Sequence, residues 1–132
     1  MNGGPGDNVI DLSGINPINL PNTAEMPVID AGLGGDIVTG SGFGDIIDGG
    51  PGEDEICGGE GVDVINSGLD KDVVHGDEGD EEIDGGPSDD IVNGGAGDDI
   101  LIAIPGNVDI LSDTDGDDTL GFSEAASGIH ST

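Results

Sequence analysis

Acidic residues recur along this sequence at a spacing that suits the binding of a hard metal cation. Ten carboxylates follow one another at intervals of nine residues, with a single step of ten: Asp36, Asp45, Asp54, Asp63, Asp72, Glu81, Asp90, Asp99, Asp109 and Asp118. Carboxylate oxygens are the ligands that calcium prefers, whereas zinc and copper favour nitrogen and sulfur. No nucleophile and base accompany these residues in a catalytic pattern, so we expect no enzymatic activity.

The charge balance supports a role for cations. Thirty acidic residues face one basic residue, Lys71, and the formal net charge is −29. Nucleic acid is excluded as a partner, because phosphate binding needs Lys and Arg to displace counterions. No apolar run is long enough to span a bilayer, so we expect no membrane insertion. The lone Cys57 rules out an internal disulfide framework. Metal ions are the simplest source of the missing positive charge.

An apolar ladder with the same period distinguishes this chain from a disordered acidic tail. Two residues after each carboxylate stands an aliphatic residue, and the series extends upstream in steps of nine or ten: Ile10, Leu20, Ile29, Val38, Ile47, Ile56, Ile65, Val74, Ile83, Val92, Leu101, Leu111 and Leu120. Neither a helix nor a simple hairpin has this period, which is typical of a repeat architecture.

Each nine-residue repeat divides into a turn and a short strand. Glycines at the first, second and fourth positions supply the positive φ angles of a tight turn. The carboxylate at position six and the aliphatic residue at position eight point the same way, the first into the turn and the second into a core. Position seven, which is often Ile or Val, should face outward. Its apolar residues are explained either by strand propensity or by a face that contacts a partner.

These features predict an all-β parallel β-roll, a solenoid in which two repeats make one coil. Coils stack about 4.8 Å apart, and thirteen half-turns give roughly six coils. We expect degenerate coils over residues 1–30, the metal-binding roll over 31–121, and a short tail over 122–132. Stacking brings carboxylates of successive coils together with backbone carbonyls, an oxygen-only ligand set of the kind that calcium prefers.

The repeat Gly-Gly-x-Gly-x-Asp-x-apolar-x resembles that of the RTX (repeats-in-toxin) family of calcium-binding β-rolls. The resemblance covers residues 31–121 and an isolated copy at 3–11. It implies about eight calcium ions, each bridging repeats that lie two apart, which would reduce the charge from −29 to −13. One edge would pair Asp36, Asp54, Asp72, Asp90 and Asp109 in succession, and the other would pair Asp45, Asp63, Glu81, Asp99 and Asp118. The resemblance also implies carbonyl ligands from turn glycines, among them Gly50, Gly52, Gly59, Gly61, Gly68, Gly79, Gly86, Gly95 and Gly97.

Several departures from the repeat predict weaker sites. Glu81 is one methylene longer than aspartate, and Asp70 and Ser88 replace turn glycines. Residues 40–48 carry their glycines at shifted places, and the turn in 104–112 contains a proline. Asn8 and the segment 12–30 lack the aspartate, so the first half-turns should hold no ion.

Cys57 and His75 share position nine on one edge and are expected to be neighbours. Two isolated ligands on a solvated face more often indicate surface residues than a transition-metal site.

Two functions remain open at this stage. The first is an extracellular structural β-roll whose folding is driven by calcium and whose uncapped ends stack head to tail into a fibre. The second is a calcium-triggered folding and secretion module of a larger RTX toxin, protease or lipase. Ice binding is disfavoured, because the outward positions form no regular Thr or Asn rows.

Overall fold

The computed structural model describes residues 3–14, 27–103, 110–112, 116 and 118–122. In these residues the chain forms strands and no helix, so none could cross a membrane as a helix. The strands are short because the turn takes up most of each repeat: β1 (Val9–Asp11), β2 (Val28–Asp30), β3 (Ile37–Thr39), β4 (Ile46–Asp48), β5 (Glu55–Glu60), β6 (Val64–Asn66), β7 (Val73–Glu78), β8 (Glu82–Asp84), β9 (Ile91–Asn93), β10 (Ile100–Ala103), β11 (Ile110–Ser112) and β12 (Thr119–Phe122).

Successive strands alternate between two parallel sheets. The odd-numbered strands form one six-stranded sheet and the even-numbered strands form the other, each in an order that follows the chain. Within a sheet, Val38 pairs with Ile56 and Ile56 pairs with Val74, so each coil consumes two repeats. This arrangement confirms the predicted all-β parallel solenoid.

The core consists of the aliphatic side chains that the ladder predicted, together with Leu12 and Ala31. Ten members of the ladder are buried: Ile10, Ile29, Val38, Ile47, Ile56, Ile65, Val74, Ile83, Val92 and Leu101. Leu111 and Leu120 continue the same register in β11 and β12. Position seven faces outward as expected, with Ile37, Ile46 and Val64 exposed. One buried aliphatic side chain per half-turn is a thin core, worth about 1.5–3 kcal/mol for each residue.

The first coil departs from the predicted ladder. Thirteen evenly stacked half-turns would pair Ile10 with Ile29, two steps along. Instead Ile10 pairs with Val38, and Ile29 lies in the opposite sheet against Ile47. The predicted separation of Ile10 and Ile29 by one full coil is therefore wrong, and the predicted rung at Leu20 lies outside the described residues. The described part of the chain has twelve half-turns, with extra residues inserted between β1 and β2.

Positive φ angles occur at positions two and four of the turns, as the glycines indicated. Where glycine is replaced, the backbone keeps the same conformation: Asp70 has φ 76° and Ser88 has φ 108°. Asp77, at position two, also has a positive φ of 78°, a substitution that the sequence reasoning overlooked. The turn in 40–48 follows a different course, because none of its residues, all of which the structure describes, has a positive φ.

We expect Ser88→Gly to stabilise the fold. A side chain at positive φ costs about 1–2 kcal/mol, and glycine removes that cost while losing about 0.5–1 kcal/mol of chain entropy. The net gain should be about 0.5–1 kcal/mol in the free energy of unfolding, measured by denaturant titration in calcium. Ser88→Ala is the matched control, since it removes the hydroxyl but keeps Cβ. An equal gain in both variants would contradict backbone strain as the cause.

Candidate metal centre

The carboxylates at position six are buried, although aspartate and glutamate rarely are. Eight of them have at most 3% of their surface exposed: Asp36, Asp45, Asp54, Asp63, Asp72, Glu81, Asp90 and Asp99. They share the inward face with the core aliphatics because side chains two apart in a strand point the same way. Asp118 is exposed, and Asp109 lies outside the described residues. The fold therefore lines up two inner columns of carboxylates, one for each sheet.

One oxygen of each aspartate extends the ladder of strand hydrogen bonds into the turn. The Asp36 amide donates to Oδ1 of Asp54 at 2.8 Å, and the Asp54 amide donates to Oδ1 of Asp72 at the same distance. The second column repeats the contact from the Asp45 amide to Asp63 Oδ1, at 2.7 Å. Asp54, Asp63 and Asp72 thus each bond the position-six aspartate of the previous coil through its backbone amide, a role that the sequence reasoning did not anticipate.

The second carboxylate oxygen has no such donor. This second oxygen, Oδ2, is called the outer oxygen below. Among the described residues, the buried outer oxygens of Asp36, Asp54, Asp63, Asp72 and Asp99 have no hydrogen-bond partner. Leaving a buried charged oxygen unsatisfied costs more than about 1–3 kcal/mol. A bound cation would offset this cost by supplying a positive charge to the column of oxygens.

Burial shifts the acidity of these groups accordingly. Desolvation raises the pKa of Asp54 from its ordinary value of 3.8 to about 6, with neighbouring carboxylates adding to the shift. The same cause raises the pKa of both Asp63 and Asp72 to about 7. For Glu81, burial and the nearby carboxylate of Asp99 raise the pKa to about 9. Without a cation, the raised pKa values of Asp54, Asp63, Asp72 and Glu81 favour the protonated form of these four groups more than in the unfolded chain.

The contacts of Asn8 show what surrounds the second terminal atom, Nδ2 or Oδ2, of a side chain at position six. Its Nδ2 lies 2.5 Å from the Gly6 carbonyl oxygen, 3.0 Å from Asp36 Oδ1 and 3.3 Å from the Gly4 carbonyl oxygen. The Ala31 carbonyl oxygen of the next coil is 3.5 Å away. All four neighbours are acceptors: carbonyls at positions two and four of the same repeat, and a carbonyl and a carboxylate of the next coil.

The aspartate repeats share one of these neighbours, the position-one carbonyl of the next coil. A Cβ added to Gly49, at position one, would lie 2.7 Å from Asp54 Oδ2 and would clash with the Ser67 carbonyl oxygen of the next coil. Gly58 stands in the same relation to Asp63 Oδ2 and the Gly76 carbonyl. Position one must therefore be small, because the space beside it holds oxygen atoms. The position-one carbonyl is a potential ligand that the sequence reasoning missed.

This donor set fits calcium. In the described part of the chain, no three His, Cys, Asp or Glu side chains converge, so carbonyls must supply much of any coordination shell. Two carboxylates and several carbonyls form the hard, all-oxygen environment that calcium accepts with six to eight ligands. Cys57 and His75 are paired in register, as predicted, but the same result leaves them without a third such ligand among the described residues.

Two repeats break the pattern. Both carboxylate oxygens of Glu81 are buried without a hydrogen-bond partner in the described structure, because the extra methylene moves them away from the ladder. At Asp45, Ser41 supplies donors from within the same turn: its amide lies 2.6 Å from Oδ2 and its hydroxyl 2.9 Å from Oδ1. The shifted glycines of residues 40–48 thus go together with a carboxylate that the protein itself satisfies.

Glu81→Asp should stabilise the calcium-loaded protein. The shorter side chain can place Oδ1 where the Asp63 amide meets it, restoring the ladder bond of the other coils. We expect about 1 kcal/mol more free energy of unfolding, the typical net value of one hydrogen bond. Glu82→Asp makes the same change at the adjacent exposed residue and should shift stability by less than about 0.5 kcal/mol. A gain from Glu82→Asp alone would refute this account of Glu81.

Acid should partly replace calcium. Because the folded pKa values of Asp54, Asp63 and Asp72 lie above the unfolded value of 3.8, the folded chain without metal binds more protons than the unfolded chain between about pH 4 and about pH 7. Its stability is therefore lost as pH rises through this window. In chelator, circular dichroism should show more strand at pH 5.5 than at pH 8. Less strand at pH 5.5 would contradict the assignment of raised pKa values.

Comparison with known proteins agrees with this geometry. The family model of the RTX calcium-binding nonapeptide repeat matches four copies, over residues 30–65 and 75–103. No curated protein and no solved structure matches the chain. The matched residues contain most of the buried carboxylates and the strands β3–β6 and β8–β10. Residues 30–65 and 75–103 therefore match RTX calcium-binding nonapeptide repeats, and the β-solenoid that they form fits a structural, calcium-binding β-roll.

Proposed function

We propose that this chain is an extracellular β-roll whose folding is driven by calcium binding between successive coils. The observation that carries the proposal is the column of buried carboxylate oxygens that face only acceptors. Calcium bound there would supply the positive charge that both oxygens and carbonyls lack. The binding free energy of the ions then becomes folding free energy.

The proposed ligands are the position-six carboxylates and the turn carbonyls around them. On one edge, ions would lie between Asp36 and Asp54, and so on along Asp72, Asp90 and Asp109; on the other, along Asp45, Asp63, Glu81, Asp99 and Asp118. Carbonyls would come from positions one, two and four, the last two including Gly50, Gly52, Gly59, Gly61, Gly68, Gly79, Gly86, Gly95 and Gly97. We rank the site between Asp45 and Asp63 as weak, because Ser41 already donates to both oxygens of Asp45.

The balance of forces explains why the ions should decide folding. One aliphatic side chain per half-turn contributes little against the repulsion within a chain of net charge −29. Without calcium, such a chain cannot bury enough apolar surface to offset its conformational entropy. Extracellular calcium modules work at about 10⁻⁴ to 10⁻³ M, far above cytosolic calcium. This requirement is our reason for proposing a location outside the cell.

Head-to-tail assembly is a further part of the proposal. In the described residues, β1 and β2 lie at one end of the two sheets and β11 and β12 at the other, each paired on one side only. Unpaired strand edges are templates for pairing with another chain. A stack of this kind does not close, so it would grow into a fibre. The competing role is that of a folding and secretion module in a larger RTX protein, which needs no such stacking.

Sedimentation velocity in calcium and in excess chelator tests these alternatives. We expect a slow, expanded monomer in chelator and a compact species in calcium. Long assemblies that chelator dissolves would support the fibre, and a compact monomer at every concentration would support the module. Identical sedimentation in the two buffers would refute calcium-driven folding.

A pair of neighbouring variants should separate the site from general charge effects. Asp54→Ala removes a buried carboxylate and its bond to the Asp36 amide, whereas Glu53→Ala removes the same charge from an exposed position. We expect Asp54→Ala to raise the calcium concentration at half-folding at least several-fold. Glu53→Ala should leave it unchanged or lower it slightly, because repulsion decreases. Equal responses would argue against Asp54 as a ligand.

A further inference from the structure

The first junction of the solenoid, between the repeat at residues 3–11 and the repeat at 31–39, is built like the others. The backbone amide of Asn8 donates to Oδ1 of Asp36 at 2.7 Å, just as the backbone amide of Asp36 donates to Oδ1 of Asp54. The Ile37 amide donates to the Asn8 carbonyl at 2.9 Å, and the Glu55 amide donates to the Asp36 carbonyl at 2.8 Å. Asn8 therefore occupies position six in full, despite the extra residues inserted before β2.

What differs at this junction is the chemistry of one atom. In the aspartate repeats, the outer carboxylate oxygen adds another acceptor to a ring of acceptors. In the first repeat, the same place holds Nδ2, which carries two hydrogens and a partial positive charge. It donates to the Gly6 carbonyl and to Asp36 Oδ1, and the carbonyls of Gly4 and Ala31 are its next neighbours.

We propose that the Asn8 side-chain amide takes the place of a calcium ion at the first junction, so that this junction closes without metal. The inference rests on the proposed calcium function, since it identifies the amide as a substitute for the ion of the other junctions. It makes Asn8 the residue that determines whether this cradle takes a cation.

The orientation of the amide follows from its surroundings. Turning the Asn8 side chain would place Oδ1 against three carbonyl oxygens and the carboxylate of Asp36, with no donor among them. A flipped amide would be favourable only with a cation bound, since asparagine oxygens can ligate calcium. The two arrangements predict different numbers of bound ions, which makes the question measurable.

A junction held by an amide should be present at every calcium concentration at which the rest of the solenoid forms. The ion-bound junctions must be filled from solution, whereas the amide is part of the chain. The first coil is thus the one place where stacking does not depend on the occupancy of a site. It supplies a fixed end against which calcium-bound coils can order.

The test counts calcium ions per chain at saturation, by equilibrium dialysis with radioactive calcium. Asn8→Asp replaces the donor by an acceptor and recreates the cradle of the other coils, so it should bind one ion more than the wild-type chain. Asn66→Asp adds the same charge at an exposed strand position and should bind no additional ion. Circular dichroism in calcium checks that each variant is folded.

Asn8→Ala provides a second measurement that does not depend on Asn8→Asp folding. If the amide replaces an ion, Asn8→Ala should bind as many ions as the wild-type chain and melt at a lower temperature. Loss of one ion in Asn8→Ala, or a folded Asn8→Asp with no additional ion, would overturn the inference while leaving the proposed function intact. No calcium bound by any of the chains would overturn the proposed function, and the inference with it.

Discussion

The outer oxygens of Asp36, Asp54, Asp63, Asp72 and Asp99 are buried without a hydrogen-bond donor. This single constraint governs the molecule. The hydrogen-bond ladder holds the inner oxygen of one aspartate to the backbone of the preceding coil, so the carboxylate cannot turn away from the turn. The core is too thin to compensate for the unsatisfied charge. The strands and turns therefore bring carboxylate and carbonyl oxygens close together. The fold and the proposed calcium dependence have the same physical origin.

The glycines follow from the same geometry. Positions two and four need positive φ, and position one needs room, because a carbonyl of the neighbouring coil and the outer carboxylate oxygen occupy the space where Cβ would be. The turn thereby presents several carbonyls to one point. The turn at residues 40–48 is an exception to this glycine pattern. There the amide and hydroxyl of Ser41 donate hydrogen bonds to the Asp45 carboxylate. Glycine content in this chain is thus a consequence of how closely oxygen atoms must approach.

Most of the fold could be read from the nine-residue period, because a solenoid turns sequence spacing directly into vertical stacking. The buried ladder and the outward position seven both followed from counting. Counting failed between Ile10 and Ile29, which lie in opposite sheets although the ladder placed them one coil apart. It also could not show that aspartate bonds the previous coil, or that a carbonyl at position one joins the site. Those features depend on which atoms of neighbouring coils come close together, and residue types alone do not predict this.

The uniform register has a consequence for how such a chain can change its length. From Asp36 to Asp99 the contacts between coils join residues eighteen positions apart, whereas the first and last junctions span twenty-eight and nineteen, and each coil pairs only with the coils next to it. Duplication or loss of eighteen residues would therefore leave every surviving contact in place, whereas an event of nine would transfer all later strands to the opposite sheet. Repeat number should therefore change in even steps, and the long sequence interval between β1 and β2 shows that the stacking of β1 on β3 tolerates an irregular spacing.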